Sequence, residues 1–566
     1  MSTAWGACSP ISNSIINLRN MCSTIQMCSG LLLERGGVRR PFMFRRRIKV
    51  GKGESLMKNI LLVFTDQQRF DTIRALGNPV IHTPVLDNMI SRGTAFTRAY
   101  TPCPVCVPAR FSMHTGLMPH RTECTDNHRM PENVQSFMQI LAANGYQSHG
   151  VGKMHFVRED QLWGYESRDR SEEGGGEDDF KHYLGENGFD HVYDPHGVRS
   201  EMYYIPQPSQ LPARMHHSTW VVDRSIEFLE HRDKSRPFFL MTSFIKPHPP
   251  FENPTPWNKL YRGPEMPLPK KPEGYENLIT YWNRYQNRYK YRDQGEDRNL
   301  VRNIKAAYYG CISFIDHNLG RLLTHLDNTG LSKDTLILYT ADHGEMLGDY
   351  ASYGKRNFLD SAARIPLLMI HPDLPGGRLC DTPASLVDVM PTILEYAGIP
   401  VPKGLNGESL MALLAAGTRV AEAAAGGDGA AAGAGGDGAA ADAGGAVRDT
   451  VFGQFQSDGK AMFMAVDRRY KYIYSVPDDK EWLYDHATDP LETINRAYNP
   501  AFKKQKDAMK KKLITYFQAE GYTRVLDGDD FKKHPRLTLP EDPDALLLFQ
   551  DPPSSLPDIP GYKNGY

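Results

Sequence analysis

Four short apolar segments of this 566-residue chain limit the folds that it can adopt. They are 59–65, 147–151, 237–243 and 335–340, and they resemble the short apolar runs of parallel strands that are buried on both faces. Segments with apolar residues at helical spacing accompany them, at 134–144, 218–231 and 299–326. Because strands that alternate with helices form a parallel sheet covered on both faces, the sequence predicts an α/β fold.

Polar side chains follow each of the four predicted strands. They are Asp66 and Gln67, Lys153 and His155, Lys246 and His248, and Asp342 and His343. One Asp-His pair would be weak evidence, since an aspartate often only caps a helix. Ligands of open α/β sheets bind outside the carboxyl ends of the strands, so four such groups in one chain predict a functional site at that rim.

The segment Cys106-Val107-Pro108-Ala109-Arg110, followed by Gly116, is the most specific motif of the chain. Taken alone, it also allows Cys106 to be a buried small apolar residue, or to form a redox pair or zinc half-site with Cys103. A five-residue match is a hypothesis until its context supports it, so the polar groups at the strand ends decide between these interpretations.

Composition excludes several classes of function. Hydrophobic residues make up 40% of the chain, which suffices for one large core and a smaller one. The net charge of −1 gives no overall field for nucleic acid or an anionic membrane. No segment approaches the roughly 18 consecutive apolar residues of a bilayer-spanning helix. We therefore expect neither nucleic acid nor a membrane as a partner.

The segment 1–56 lacks the basic region, apolar core and cleavage site of a secretory signal. We expect it to be a disordered extension or to be untranslated, with Met57 as the functional start. The cysteines that would remain are few and odd in number, which does not suit a disulfide framework and predicts a cytoplasmic location.

The sequence predicts a second, smaller domain in the carboxyl-terminal part. Residues 418–446 are mostly Ala, Gly and Asp and predict a flexible linker between a catalytic domain at 57–417 and a small domain with its tail at 447–566. Strand patterns at 450–454, 461–466, 470–474 and 481–484 precede a helical pattern at 500–520. This order predicts a small antiparallel sheet with one helix.

The Cys106 motif resembles the signature at which type I sulfatases convert a cysteine to formylglycine. The resemblance covers nearly all of 57–520 and extends to four further segments, which are His82–Asp87, Gly145–His155, Thr340–Glu345 and Trp482–Glu492. It implies an alkaline-phosphatase-like fold, with a mostly parallel sheet between helices and a smaller carboxyl-terminal α+β domain. It also implies a nucleophile that regenerates itself, because one hydroxyl of a hydrated aldehyde attacks sulfur and the other then expels sulfate.

The resemblance assigns roles residue by residue. The implied ligands of one divalent metal are Asp66, Gln67, Asp342, His343 and the modified Cys106. Arg110 and Lys153 would hold the formylglycine hydrate, while Lys153 and Lys355 would bind sulfate oxygens. His155 matches the base that releases sulfate, and His248 matches the acid that protonates the leaving alcohol and contacts the substrate. Asn127 is either a further anion contact or an ordinary surface residue.

Oxygen ligands favour Ca²⁺, and an imidazole and an amide also admit Mn²⁺. On the same argument, an aspartate at position 67 would favour the harder Ca²⁺ ion.

At two positions the chain differs from the usual sulfatase sequence and resembles a neighbouring branch of the family. Gln67 stands where many sulfatases have a second aspartate, and Ala109 replaces the commoner serine. Both resemble formylglycine-dependent phosphonate monoester hydrolases and phosphodiesterases, whereas the pair Lys153 and His155 resembles true sulfatases. The sequence therefore predicts hydrolysis of a sulfate monoester, with phosphonate monoester or phosphodiester hydrolysis as the alternative. A binding protein that has lost activity, or a Cys-x-x-Cys oxidoreductase, would leave the polar groups at the strand ends unexplained.

The sequence gives less direct evidence on the alcohol part of the substrate and on the protein partners. The segments 163–210 and 275–298 are predicted to form loops over the rim. Their aromatic and basic residues suit an aryl or sugar group, although 275–298 also suits a helix with one solvated face. The expected partners are a small-molecule or glycan sulfate ester and the enzyme that makes formylglycine, either a formylglycine-generating enzyme or an anaerobic sulfatase-maturating enzyme.

Overall fold

A computed structural model describes residues 58–127 and 134–540, apart from 157, 159, 174–177, 200–201, 291–296, 415–417 and 420–447. The predicted extension at 1–56 and start at Met57 lie outside the described residues. So does the predicted linker, except for 418 and 419. Among the described helices, none is long and apolar enough to cross a bilayer.

A nine-stranded sheet organises the larger part of the described chain. Its strands are β1 (Asn59–Thr65), β2 (Thr94–Phe96), β3 (Gln147–Gly152), β4 (Ser167–Arg170), β5 (Phe238–Ser243), β6 (Thr335–Ala341), β7 (Leu367–Ile370), β8 (Arg378–Cys380) and β9 (Thr418–Arg419). Their spatial order is β9-β8-β2-β7-β6-β1-β5-β3-β4. The run from β6 to β4 is parallel throughout, so five carboxyl ends meet at one rim, and β1 lies between β6 and β5.

Helices cover both faces of this sheet. They are α1 (Pro84–Arg92), α2 (Cys106–Thr115), α3 (Phe137–Ala143), α4 (Asp179–Glu186), α5 (His217–His231), α7 (Arg298–Asn328) and α8 (Val389–Ala397), whereas α6 (Tyr281–Lys290) packs against the carboxyl-terminal sheet. Side chains of β1 alternate between the two layers: Ile60, Leu62 and Phe64 pack towards α2, α3 and α8. Leu61 and Val63 pack towards α1, α5 and α7. All five are fully buried, which explains why β1 carries the unbroken apolar run of a strand covered on both faces.

The carboxyl-terminal part forms the expected antiparallel sheet and helix. Its strands are β10 (Val451–Phe455), β11 (Met462–Val466), β12 (Tyr470–Ser475) and β13 (Lys480–Asp485), in that spatial order, followed by α9 (Lys503–Ala519). One face packs against α9. The other face packs against the catalytic part, where Tyr281 and Trp282 of α6 join the same apolar cluster. These two aromatic side chains are therefore core residues, and the exposed aromatic platform considered for 275–298 is wrong for them.

The four predicted strands of the large sheet are all present, and each boundary agrees to within one residue. The helix expected at 134–144 is shorter and begins at Phe137, because Ser136 caps it by accepting from the Gln139 amide. The segment 163–210 contains β4 and α4 as well as loops. The sequence analysis missed β4 because Ser167–Arg170 is a polar edge strand without an apolar run.

Candidate active site

Strand register places the first acidic residues side by side. Thr65 of β1 pairs with Ala341 of β6, so Asp66 and Asp342 are the next residues of adjacent parallel strands. On the other side of β1, Phe64 pairs with Ser243 of β5. Ser243 in turn pairs with Gly152 of β3, and Lys153 follows there. Gly152 has a left-handed φ of 83°, and a Cβ at this position would clash with the carbonyl oxygen of Ser243.

Helix α2 begins at Cys106, directly at this rim. It ends at Gly116, whose left-handed φ of 65° closes the helix. Asn127 was considered as an anion contact, but its side-chain oxygen accepts the backbone N–H of Val107 at 3.1 Å. In the structure Asn127 therefore satisfies a donor in the first turn of α2 and helps to fix the position of Cys106.

Cys106 Sγ is surrounded by polar groups. Lys355 Nζ lies 2.9 Å away, His343 Nε2 3.3 Å and Asp66 Oδ1 3.7 Å. Burial opposes ionisation of this thiol, yet Lys355, Lys153 and His343 together hold its pKa well below the usual value. The site therefore stabilises negative charge at position 106.

Arg110 crosslinks the two carboxylates behind the cysteine. Its guanidinium donates to Asp66 Oδ2 at 3.1 Å and to Asp342 Oδ2 at 3.3 Å, and it also donates to the Lys153 carbonyl at 2.7 Å. Burial raises the pKa of Asp342, and the nearby Asp66 raises it further. The same burial acts on Asp66, but Lys153, His248 and Arg110 hold the pKa of that carboxyl well below its usual range. Arg110 thus organises the carboxylates, whereas the sequence analysis assigned it to the formylglycine hydrate.

The donor atoms of this cluster fit a divalent cation. One donor each from Asp66, Cys106, Asp342 and His343 lie within 4.8 Å of one another. His343 Nδ1 lies 2.9 Å from the Gly344 carbonyl, so Nδ1 carries the hydrogen and Nε2 presents its lone pair to the cluster. An imidazole fixed in this way by a backbone carbonyl is the usual arrangement of a metal ligand. A bound cation would also stabilise the ionised forms of Asp66 and Asp342, which repel each other and raise the pKa of Asp342.

Gln67 is the fifth member of the expected ligand set, and it lies at the same place. Its amide oxygen accepts from Lys355 Nζ at 2.8 Å, and its amide nitrogen donates to Glu345. The structure thus brings Asp66, Gln67, Cys106, Asp342, His343 and Lys355 together. Lys246, which also follows a predicted strand, is directed elsewhere and pairs with Glu252 at 3.2 Å.

The two histidines expected to move protons both approach Cys106. His155 donates a hydrogen bond that helps to lower the pKa of the thiol. Its backbone has a left-handed φ of 59° and its N–H donates to Glu172 Oε1 at 3.0 Å. His248 Nδ1 donates to the Pro249 carbonyl at 2.8 Å, which leaves Nε2 facing the Tyr203 hydroxyl at 3.5 Å. Burial, assisted by Lys355, lowers the pKa of His248 well below its usual value.

Glu173 is a member of the site that the sequence analysis missed. Its carboxylate contacts Lys153 Nζ, lies 3.4 Å from His248 Nδ1 and lies 3.6 Å from Arg199. Lys153 also lies 2.5 Å from Asp66 Oδ2, so two carboxylates compensate its charge. An acidic pair at the end of strand β4 was the available signal, but β4 itself had not been recognised.

Cys103 does not form a redox pair with Cys106. The five cysteines of the described residues are all unpaired and buried. Burial and the nearby Asp126 raise the pKa of Cys103 well above its usual value, opposite to the shift at Cys106. The structure therefore gives the Cys-x-x-Cys oxidoreductase interpretation no second activated thiol.

Comparisons with known proteins agree with this arrangement. The model of the sulfatase family matches residues 58–399. An arylsulfatase of Clostridium perfringens is 29% identical over 508 residues, which is 84% of this chain and 97% of that protein. A multifunctional alkaline phosphatase superfamily protein of Trinickia caryophylli, PehA, is 32% identical over 503 residues and 92% of its own length, covering 79% of this chain.

Solved structures show the same fold. A phosphonate monoester hydrolase of Agrobacterium radiobacter superposes with a TM-score of 0.69 at 23% identity, over 84% of this chain and 100% of the other. The fold is thus alkaline-phosphatase-like, with the additional antiparallel sheet near the carboxyl terminus. Because the family model spans more than half of the chain, the protein belongs to the sulfatase family and is a sulfuric ester hydrolase.

Proposed function

We propose that the protein hydrolyses a sulfate monoester to an alcohol and inorganic sulfate, with formylglycine made from Cys106 and one divalent metal. The observation that carries the proposal is the environment of Cys106. This buried side chain at the start of a helix is faced by Lys355 at 2.9 Å and is itself one of four donors with metal-ligand chemistry. Such a site favours a nucleophile with anionic oxygen at position 106 and a substrate that is itself an anion.

Asp66, Gln67, Asp342, His343 and the modified Cys106 are the residues that would hold the metal. Ca²⁺ is the ion we propose, with Mn²⁺ as the alternative, because carboxylate and amide oxygens predominate among these ligands. When bound, the metal would supply Lewis acidity beside residue 106, and the hydrated aldehyde would supply a nucleophile that regenerates itself.

The cationic side chains of the site bind and orient the substrate. Lys355 and Lys153 would hold sulfate oxygens, whose negative charge increases as the S–O bond breaks. Lys153 also contacts Asp66 and Glu173, so a sulfate oxygen would compete with these carboxylates for its ammonium group. Arg110 contributes indirectly, because it fixes the orientation of Asp66 and Asp342.

Two histidines divide the proton transfers. His248 would protonate the leaving alcohol from Nε2. Because Nδ1 already donates to the Pro249 carbonyl, this transfer needs the doubly protonated imidazole, which the carboxylates of Asp66 and Glu173 would favour against burial. His155 would remove the proton from residue 106 that allows sulfate to leave. Its ring already makes a hydrogen bond to Cys106, so it lies within reach of a proton at this position.

Phosphonate monoester or phosphodiester hydrolysis is the second candidate. Gln67 makes the ligand set less anionic than one with a second aspartate, and this departure resembles that branch, whose fold, seen in a phosphonate monoester hydrolase, the chain shares. The substrate of the first candidate is a small-molecule or glycan sulfate ester. In either case the cell must supply a formylglycine-generating or anaerobic sulfatase-maturating enzyme.

Parallel rate measurements separate the two candidates. Matured, metal-loaded enzyme would be assayed with a nitrophenyl sulfate and with the corresponding aryl phosphonate monoester under the same conditions. We expect the larger kcat/KM for the sulfate. A larger value for the phosphonate would transfer the assignment to the second candidate. A panel of sulfated sugars, aryl sulfates and choline sulfate would then identify the alcohol.

A further inference from the structure

The backbone of Gln67 is held in an unusual conformation. Its φ of 68° lies in the left-handed region that glycine favours. Its N–H donates to Asp342 Oδ1 at 2.9 Å, and its carbonyl accepts from the Tyr308 hydroxyl at 2.7 Å. A strained conformation of this kind persists where its surroundings determine it. The side chain of Gln67 therefore starts from a fixed point beside the metal-ligand cluster.

Two charged neighbours determine which way the amide of Gln67 faces. The nitrogen donates to Glu345 Oε2, and the oxygen accepts from Lys355 Nζ at 2.8 Å. A carboxylate can only accept hydrogen bonds and an ammonium group can only donate them. Rotation of the amide by 180° would therefore set two donors against each other at Lys355 and two acceptors against each other at Glu345.

Glu345 is itself fixed and fully buried. Its Oε1 accepts the N–H groups of Leu347 at 3.0 Å and Gly354 at 2.5 Å. Its Oε2 accepts from the Tyr204 hydroxyl at 3.1 Å as well as from Gln67. Because each oxygen has two donors, the carboxylate cannot turn away from Gln67 without losing buried hydrogen bonds.

We propose that Glu345 is a positioning residue that directs the amide oxygen of Gln67 towards the metal, and that it is the reason why position 67 carries an amide. The inference rests on the proposed function, since it takes Gln67 as a metal ligand. It changes one expectation from the sequence: an aspartate at position 67 would bring a second negative charge towards Glu345, so the substitution alone does not improve Ca²⁺ binding. Two neighbouring buried carboxylates would repel each other instead.

Exchanging the two groups tests the proposal. In Glu345→Gln, the new amide nitrogen opposes the amide nitrogen of Gln67. Gln67 can then no longer satisfy both neighbours, because turning its amide would set its nitrogen against Lys355, and its oxygen loses its fixed direction towards the metal. In the double variant Gln67→Glu/Glu345→Gln, the carboxylate and the amide change places, so the net charge is preserved and the hydrogen bond between the two side chains is kept with its direction reversed. The Tyr204 hydroxyl would then accept from position 345 instead of donating to it. Glu252→Gln is the matched control, because Glu252 is a buried carboxylate that pairs with His216 and Lys246.

The measurement is the dissociation constant for Ca²⁺ and for Mn²⁺, obtained by titration calorimetry of the metal-stripped full chain. We expect Glu345→Gln to weaken binding by about 10- to 100-fold, the usual effect of losing a group that orients a ligand. The double variant should return to within about tenfold of the wild type, and Glu252→Gln should bind as the wild type does.

Unchanged affinity in Glu345→Gln, with stoichiometric binding by the wild type, would overturn the inference. If Glu345→Gln does not fold, the double variant tests the inference, because it keeps the charge and the hydrogen bond between positions 67 and 345: metal binding supports the inference and loss of binding overturns it. A wild-type protein that binds neither ion would instead contradict the metal-dependent function proposed above, and with it the premise of this inference.

Discussion

Lys355 Nζ lies 2.9 Å from Cys106 Sγ in the fully buried centre of the site. Burial by itself would keep the thiol neutral, but Lys355 and Lys153 reverse that effect and lower its pKa. The surrounding cations thus stabilise a negative charge at position 106, whether sulfur or oxygen carries it. This electrostatic environment is the starting point for the expected behaviour of the enzyme.

Cys106 is expected to be formylglycine in active preparations. Mass spectrometry of the tryptic peptide should show the aldehyde, which is lighter than the thiol form, and specific activity should rise with the converted fraction. Cys106→Ser supplies only one hydroxyl, so it should stall after one turnover or not react. Full activity with an intact thiol would contradict this expectation.

Asp342→Asn should abolish metal retention and turnover together. The substitution keeps an oxygen for the N–H groups of Gln67 and His343, both at 2.9 Å, but removes a charge that the metal needs. Since Asp342 Oδ2 also accepts from Arg110 Nε at 3.3 Å, and an amide nitrogen there cannot accept, the metal-free variant should melt lower than the metal-free wild type. Metal content by elemental analysis and thermal melts check both outcomes.

The control for this variant is Asp316→Asn. Burial raises the pKa of Asp316 to about 7, and its carboxylate accepts the N–H groups of Val85 and Leu86 at the start of α1. It should lose stability and keep its metal. Stoichiometric metal with normal turnover in Asp342→Asn would show that Asp342 is not a ligand.

His248→Ala should slow the enzyme according to the leaving group. A general acid matters most for a poor leaving group, so we expect a loss on the order of 10²–10⁴ with an alkyl or sugar sulfate. The loss should be much smaller with a nitrophenyl sulfate, whose phenolate leaves without a proton. His155→Ala should slow both substrates alike, and equal leaving-group dependence in the two variants would contradict the assigned roles.

Glu173→Gln should make inorganic sulfate a stronger inhibitor. The carboxylate of Glu173 contacts Lys153 and lies 3.4 Å from His248, so it competes with an anion for the same groups. We expect the inhibition constant to fall about tenfold, equivalent to about 1.4 kcal/mol. Glu166→Gln, which removes the exposed partner of Arg236, is the control. An inhibition constant that does not fall would mean that Glu173 does not compete for the anion.

His114 should make the protein less stable in acid. It packs among Phe111, Phe137 and Trp163, and burial lowers its pKa from 6.5 to about 3. Between those two pH values the unfolded chain binds a proton that the folded protein does not, so stability falls as the pH falls from about 6.5 to 3.

His114→Phe should remove this contribution, which is at most about 1.4 kcal/mol for each pH unit. The free energy of unfolding, measured by denaturant titration at several pH values between 4 and 7, should then depend less steeply on pH. His182→Gln, at an exposed position, is the control and should leave the dependence unchanged. An unaltered slope in His114→Phe would contradict the assignment.

The sequence by itself determined the central strands and the residues that follow them. An unbroken apolar run such as that of β1 predicts a strand buried on both faces, and parallel strands bring their carboxyl ends together. That reasoning, with the resemblance at Cys106, was sufficient to place Asp66, Asp342 and His343 near one another, and the structure gives them one compact cluster.

The tertiary structure decided the contacts that depend on side chains from distant segments. Glu173, 107 positions after Asp66, contacts Lys153 because the polar edge strand β4 joins the sheet beside β3. The sequence has no apolar pattern that predicts this strand. The orientation of Gln67 depends on Glu345 and Lys355, since an amide has a donor and an acceptor end that only its neighbours distinguish. Periodic patterns report which residues are buried, whereas the direction of a hydrogen bond is set only when the partners are brought together.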